Sequence, residues 1–385
     1  MPWTKVDIMD LRKEFIEAWA SQRFSVSELA LQYEISRKTA YKLIGRVLKE
    51  GECGLQDHSH ARKTQEHRMS GEVERTLLAL KAKYPYWGPK KIRKKFETQS
   101  AGRSNVPAAS SIGALFGRHG LVESRPRKRA HIDTPRVLRA ATAPNELWAV
   151  DFKGERPLGD GSMCYPLTLS DDYSRYLLIC HGLPSVATRG VKPLMERAFR
   201  EFGLPDAIRS DCGPPFTSMG AVGGLSGLSV WWLRLGIALQ RTTPGRPQQN
   251  GRHERMHRTL KKATMLPVSA SASPQQARFD AFRDEYNDER PHEAIEFRCP
   301  KDLHRPALRG YPDRLPEPVY PGHFLRRCVR NNGQIKLKGN RLFLGEQLIH
   351  QEIGLEPVED GWRVHFCTKL IAHIDEQTLT ITALR

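Results

Sequence analysis

Apolar and polar positions along the chain change period three times. From residue 7 to about 50 apolar residues recur every three or four positions, the spacing of short amphipathic helices. Ser25-Val26-Ser27-Glu28 is a capping box opening the second of them, and Ser36 opens a third that Gly51 closes. The buried stripe of that third helix reads as Ala40, Tyr41, Ile44, Val47 and Leu48, with Arg37, Lys38, Lys42 and Arg46 off the stripe. Two helices at a tight turn, the second basic on its free face, predict a helix-turn-helix over residues 1–52. A second unit of the same kind is expected over 70–124. Ser70 caps one helix, and Gly88-Pro89 opens another whose Lys90 and Lys94 suit phosphate contact. Residues 125–143 are a basic, proline-punctuated linker, in which Arg127, Lys128 and Arg129 would track a nucleic-acid backbone.

Beyond residue 144 short apolar runs take over. Strands are expected at 147–152, 164–169 and 176–180, the last two joined by the turn Ser170-Asp171-Asp172-Tyr173-Ser174. Helix 186–202, strand 207–209, a short helix near 230–235, strand 237–240 and helices 248–265 and 274–287 follow. Three strands, helix, strand, helix, strand, helix is the order of a ribonuclease-H-like catalytic core, over 144–303. Residues 304–322 are a Pro-rich linker. Residues 323–385 hold short alternating runs that predict a small all-β, SH3-like barrel. The fold class is therefore multidomain: helical helix-turn-helix units, an α/β core and a small β domain.

Charge narrows the partner. The formal net charge of +18 calls for a polyanion. Seven scattered cysteines with no C-x-x-C fit a reducing cytoplasm better than a disulfide framework or a zinc knuckle. No apolar run approaches a membrane span, and the N-terminus lacks a signal-peptide core. The expectation is a soluble protein of the cytoplasm, associated with the nucleoid, and with no membrane partner.

Three acids stand in distinctive settings: Asp151 in Trp148-Ala149-Val150-Asp151-Phe152, Asp211 in Arg209-Ser210-Asp211-Cys212-Gly213, and Glu254 in Asn250-Gly251-Arg252-His253-Glu254-Arg255. The first two end strand-like runs and the third begins a basic helix. Carboxylates drawn from separate elements suit Mg²⁺, a hard cation that takes oxygen ligands and keeps waters for a phosphate to displace. Two such ions can activate a water or a 3′-hydroxyl and stabilise the leaving oxygen at phosphorus. Arg252, Arg255, Arg258 and Lys261 would then meet DNA beside the metal. A rival overlaps the third acid: His253-Glu254-Arg255-Met256-His257 fits the H-E-x-x-H pattern of zinc proteases. Its flanks are wholly basic and no third zinc ligand stands out, so the histidines are read instead as phosphate contacts.

The segment Pro244–Lys261 resembles the hallmark of insertion-sequence transposases of the retroviral-integrase-like DDE superfamily. Trp148–Asp151, Asp172-Tyr173-Ser174-Arg175, Ser210–Phe216 and Tyr286-Asn287-Asp288-Glu289-Arg290-Pro291-His292 resemble other motifs of the same proteins. The resemblance implies Mg²⁺- or Mn²⁺-dependent processing of DNA 3′ ends and strand transfer, two ions per site when DNA is bound. Asp151, Asp211 and Glu254 would be the catalytic residues and metal ligands. It also implies double-stranded terminal inverted repeats and target DNA as partners, and a homo-oligomer on DNA. Two departures stand out. Cys212 occupies the place where the family usually has Asn, a weaker hydrogen-bonding group, and the retroviral His/Cys zinc domain is absent.

A domesticated, non-catalytic DNA-binding protein is the alternative from another class, and Cys212 speaks for it. A structure-specific nuclease on the same core is a second. In an oligomer holding two DNA ends, the two linkers are expected to carry the flanking domains across. The loop Thr242–Pro247 is expected to be mobile without DNA, leaving Glu254 poorly placed until an end docks.

Overall fold

A computed structural model describes residues 7–57, 69–100, 106–122, 141–218, 220–243 and 247–384. Arg127, Lys128 and Arg129 lie outside the described residues, as does the middle of the loop before Glu254 (244–246). The chain forms two compact units, Met1–Met69 and Ser70–Arg385.

The first unit is three helices, α1 (Ile8–Ala20), α2 (Val26–Gln32) and α3 (Arg37–Glu50). The capping box forms as the sequence predicts: Ser25 N–H donates to Glu28 Oε2 at 2.8 Å, and Glu28 N–H to Ser25 Oγ at 3.2 Å. Phe15, Leu29, Ala30, Ala40, Leu43, Ile44 and Leu55 make the core. The expected stripe of α3 needs correction, because Tyr41 and Leu48 are 62% and 70% exposed. Positions 40, 43, 44 and 47 share one face, and 41 and 48 lie about a quarter-turn round it at about 100° per residue. Arg46 is also not free to face a groove. Its guanidinium donates to the Gly54 carbonyl at 2.8 Å and the Gln56 carbonyl at 2.6 Å, tying α3 to the turn that follows.

The second unit opens with α4 (Gly71–Lys83), α5 (Pro89–Gln99) and α6 (Ala109–Arg118) around Leu77, Leu80, Ile92, Phe96, Ile112, Leu115 and Phe116. A mixed sheet follows, built from β1 (Leu147–Phe152), β2 (Arg156–Pro157), β3 (Met163–Asp171) and β4 (Leu177–Leu183), then α7 (Thr188–Phe202), β5 (Ala207–Ser210), α8 (Gly227–Arg234) and β6 (Ala238–Arg241). β1 pairs antiparallel with β3, and β3 with β4, while β5 and β6 run parallel on the other side of β1. This is the strand order expected of a ribonuclease-H-like core. On one face α7 packs Val191, Met195 and Phe199 against Trp148, Val150, Leu169 and Ile208. On the other, α9 (Gly251–Thr264) and α10 (Ala272–Asp284) pack Met256, Leu260, Phe279 and Phe282 over β3 and β4. Each such side chain contributes roughly 1.5–3 kcal/mol by leaving water.

α10 ends in one wide turn, Glu285–Glu289, with the i→i+5 pattern of a π-helix. Asn287 there accepts from Leu177 N–H at 2.8 Å and donates to its carbonyl at 3.0 Å, which fastens the turn to β4. The acids of the same turn face α4 and α5. Trp87 Nε1 donates to Glu285 at 2.7 Å, the Tyr84 hydroxyl bonds Glu289, Lys95 pairs with Glu289 at 3.1 Å, and Lys90 with Glu293 at 2.5 Å. Lys94 pairs with Glu97 at 3.2 Å. The basic helix read as a phosphate contact thus spends Lys90 and Lys95 on the core's own acids, a pairing between distant segments that local sequence does not display.

After α11 (Pro300–Leu303), the Pro-rich linker lies along the core. Leu204 N–H donates to the Arg309 carbonyl at 2.7 Å, and Arg200 stacks over Tyr311 at 4.5 Å. It is a strap here, not the slack tether that crossing to another subunit would need. Strands β7 (Leu325–Cys328), β8 (Gln334–Leu337), β9 (Asn340–Phe343), β10 (Glu352–Val358), β11 (Gly361–Phe366), β12 (Lys369–Asp375) and β13 (Ile381–Ala383) complete the chain. They give a five-stranded antiparallel sheet in the order β13-β12-β11-β10-β7 and a separate β8–β9 hairpin. Among the described residues the sheet's edges do not pair, so the expected barrel is met only as an antiparallel β domain. That sheet shares one apolar core with Leu225, Val230 and Leu233 of the α/β core. No helix among the described residues is long and apolar enough to cross a membrane.

Candidate active site

Asp151 lies near the end of β1, opposite Thr168 of β3. Asp211 directly follows β5, which runs parallel beside β1, so topology brings both acids to the same end of the sheet. Glu254 sits in the first turn of α9, the helix that covers this part of the sheet. Asp211 and Glu254 are exposed and Asp151 is half-buried. Asp211 Oδ1 accepts the Gly213 N–H at 3.1 Å, which steadies the carboxylate across its own turn.

Electrostatics tie the three together. The Asp151 carboxyl is pushed up to about 7, first by burial, then by the negative charge of Asp211, with Glu254 adding to it; the Phe152 N–H and Lys153 pull the other way. Carboxylates offer only oxygen donors, which fit a hard divalent cation. Arg255 and Arg258 are exposed on α9 beside Glu254 and Lys261 is half-buried. Arg258 and Lys261 fall on the face of Glu254 by helical spacing. Arg252 is partly engaged, donating to Asp172 Oδ2 at 2.7 Å, and Asp172 also has Arg175 and Arg209 at 3.7 Å each.

The two histidines do not face phosphates. His253 and His257 are buried on the inner face of α9. Their Nε2 atoms lie 2.7 and 2.6 Å from Thr168 Oγ1, and His253 Nδ1 lies 3.1 Å from Ser170 Oγ. His257 Nδ1 is 3.7 Å from Asp151 Oδ2. Burial holds His253 down to about 3, and burial together with His253 and Lys153 lowers His257 as well, so both rings are neutral. Among the described residues Asp151, His253 and His257 form the group whose donors, within 4.8 Å of one another, could gather on a metal. The H-E-x-x-H geometry of a zinc protease is not met, since Glu254 is exposed while the histidine pair is buried against the sheet with both Nε2 atoms bonded to Thr168.

Sequence reasoning missed Thr168, an unremarkable strand residue whose role appears only through the β1–β3 register. The histidine signal was present, since His253 and His257 flank Glu254 at spacings that share a face. Cys212 turns its thiol to the Thr242 carbonyl at 3.1 Å, across to the segment leading from β6.

The integrase core domain family matches residues 141–247 and again 235–300, and a helix-turn-helix domain family matches 11–63. The insertion element IS407 uncharacterized 31.7 kDa protein of Burkholderia multivorans is 30% identical over 197 residues, 50% of this chain and 67% of that protein. The Pol polyprotein of feline endogenous virus ECE1 is 34% identical over 119 residues, 31% of this chain but 11% of that polyprotein. The solved HTLV-2 integrase catalytic core domain in complex with magnesium aligns over 43% of this chain and 100% of its own, at 14% identity and a TM-score of 0.35. With a helix-turn-helix domain ahead of an integrase core, the chain belongs to the insertion-element transposases of the retroviral-integrase-like superfamily.

Proposed function

We propose that the protein is a DNA transposase that cleaves at the ends of a mobile element and joins the freed 3′ ends to target DNA. The observation that supports this reading is the parallel pairing of β1 and β5, which carries Asp151 and Asp211 to the same end of the sheet, with Glu254 in the first turn of α9. Asp151, Asp211 and Glu254 would hold two Mg²⁺ or Mn²⁺ ions. Such a pair supplies Lewis-acid stabilisation to the attacking and leaving oxygens of an in-line displacement at phosphorus. Arg255, Arg258 and Lys261 would hold the backbone of the DNA end in line with the acids, leaving positioning and charge neutralisation as the protein's share of phosphoryl transfer. Arg37, Lys38 and Lys42 would read the terminal repeat. The small β domain, SH3-like in this reading, would take the flanking or target duplex. Because two ends must meet one target, the working state would be a homo-oligomer on DNA.

The experiment is nicking and joining of a labelled terminal-repeat duplex with Mg²⁺. Asp151→Asn, Asp211→Asn and Glu254→Gln should each abolish both steps and leave duplex binding nearly unchanged. Full activity in any one of them would overturn the assignment. A wild-type protein that binds the repeat and never cuts it would favour the domesticated DNA-binding reading, for which Cys212 is the one residue that speaks.

A further inference from the structure

We propose that Thr168, His253 and His257 form a hydrogen-bonded clamp that fixes the backbone at Asp151 and the seat of the Glu254 helix, with Thr168 and His257 as positioning residues of the three-carboxylate site. The inference rests on the reading of that site given above.

The argument is one of counting protons. Thr168 Oγ1 carries a single hydrogen and lies 2.7 Å from His253 Nε2, 2.6 Å from His257 Nε2 and 3.1 Å from the Asp151 carbonyl. A neutral imidazole has one N–H and one lone pair. One hydroxyl proton cannot serve both Nε2 atoms, so at least one ring donates through Nε2. His253 Nδ1 faces the Ser170 hydroxyl, which can donate to it. His257 Nδ1 faces Asp151 Oδ2 at 3.7 Å, longer than a hydrogen bond.

One assignment serves every contact. Ser170 Oγ–H donates to His253 Nδ1, and the Nε2–H groups of His253 and His257 both donate to Thr168 Oγ1, whose two lone pairs can take them. The Thr168 O–H then donates to the Asp151 carbonyl. The chain of bonds crosses β3, α9 and β1, the last two being the elements that carry Glu254 and Asp151. His253 and His257 sit one residue before and three after Glu254, so the same bonds that hold the Asp151 backbone also hold Glu254's helical turn to the sheet. Both rings are nearly free of solvent contact, where a satisfied polar chain is rigid and a broken one is costly.

The test uses the full-length protein on the terminal duplex, with Asp151→Asn as control. Thr168→Val removes the bridging hydroxyl at constant shape. His257→Asn keeps an amide near the position of Nδ1, facing Asp151; His257→Gln keeps one near Nε2, facing Thr168. Two quantities are read: Mn²⁺ affinity of the protein–duplex complex by electron paramagnetic resonance, and the Mg²⁺ dependence of joining. Thr168→Val and His257→Asn should weaken metal half-saturation on the order of 10- to 100-fold, as loss of an outer-sphere orienting group does. His257→Gln, which keeps the bond to Thr168, should stay within a few-fold of wild type, and duplex affinity should hold throughout. Metal affinity unchanged in Thr168→Val and His257→Asn, or lost equally in His257→Asn and His257→Gln, would overturn the clamp. If Thr168→Val fails to fold, the two His257 variants decide alone, since they differ only in where the amide lies. An active Asp151→Asn would instead sink the three-carboxylate reading, a separate outcome.

Discussion

Trp87 gives its indole N–H to Glu285 at 2.7 Å, joining the turn after α4 to the wide turn that ends α10. Around this bond Tyr84 and Lys95 meet Glu289 and Lys90 meets Glu293, so α4–α6 are held to the core by one acidic segment. Glu289 serves three partners, since Lys83 also lies 3.7 Å from it, and removing it strands a half-buried lysine and a buried phenol. Glu289→Ala should therefore cost about 1–3 kcal/mol, more than the loss of an exposed ion pair. The α5 amides should exchange hydrogen faster while those of α7 on the far face stay protected. Unchanged α5 exchange in this variant would mean that the docking is weaker than its geometry.

Asp151 carries a pH-dependent penalty in the metal-free protein. Its folded value of about 7 lies above the ordinary 3.8, so the folded state prefers the neutral acid. The stabilisation is fully present below about pH 4 and is lost as pH rises through about 7. Asp151→Asn cannot ionise and escapes that loss. With chelator present the variant should be more stable than wild type at pH 8, by up to about a few kcal/mol, and so unfold at a higher temperature, and the gap should close towards pH 4. Saturating Mg²⁺ at pH 8 should narrow it from the other side, by binding the wild type alone. A gap that stays constant from pH 4 to pH 8 would show that burial, with Asp211 and Glu254 adding to it, does not hold the Asp151 carboxyl up.

Local signals carried most of the fold. Capping at Ser25, Ser36 and Ser70, the proline at the start of α5, and the order of strands and helices from Leu147 to α10 were all written in short stretches of chain. So were the three acids, because a carboxylate at a strand end is visible without knowing what lies beside it. The sequence did not disclose pairings over long separations. Lys90 and Lys95 look like a solvated basic face until Glu293 and Glu289 are placed opposite them. His253 and His257 look like phosphate contacts until Thr168 is found beneath α9. The β domain was legible as strands, but whether its edges close depends on pairings that alternation alone does not fix.

The basic residues of α3 divide into two sets with different consequences. Arg37, Lys38 and Lys42 are exposed at the start of the helix, where a helix-turn-helix meets the major groove. Arg46, one turn further on, is spent on the Gly54 and Gln56 carbonyls and lies 3.8 Å from Asp57. Alanine at Arg37, Lys38 or Lys42 should leave the melting temperature of the first unit almost unchanged and weaken binding to the terminal repeat. A base contact should cost about 1–3 kcal/mol on the repeat and little on random duplex, while a phosphate contact should weaken both and lower the salt slope by about one. Arg46→Ala should behave in the opposite way. It leaves two carbonyls without their donor and frees the turn after α3, so stability should fall by about 1–3 kcal/mol. The fraction that remains folded should keep its preference for the repeat. Fluorescence anisotropy on repeat and random duplexes, paired with thermal melts, separates the two sets. An Arg46→Ala protein that melts like wild type and yet loses the preference would place Arg46 in the groove after all.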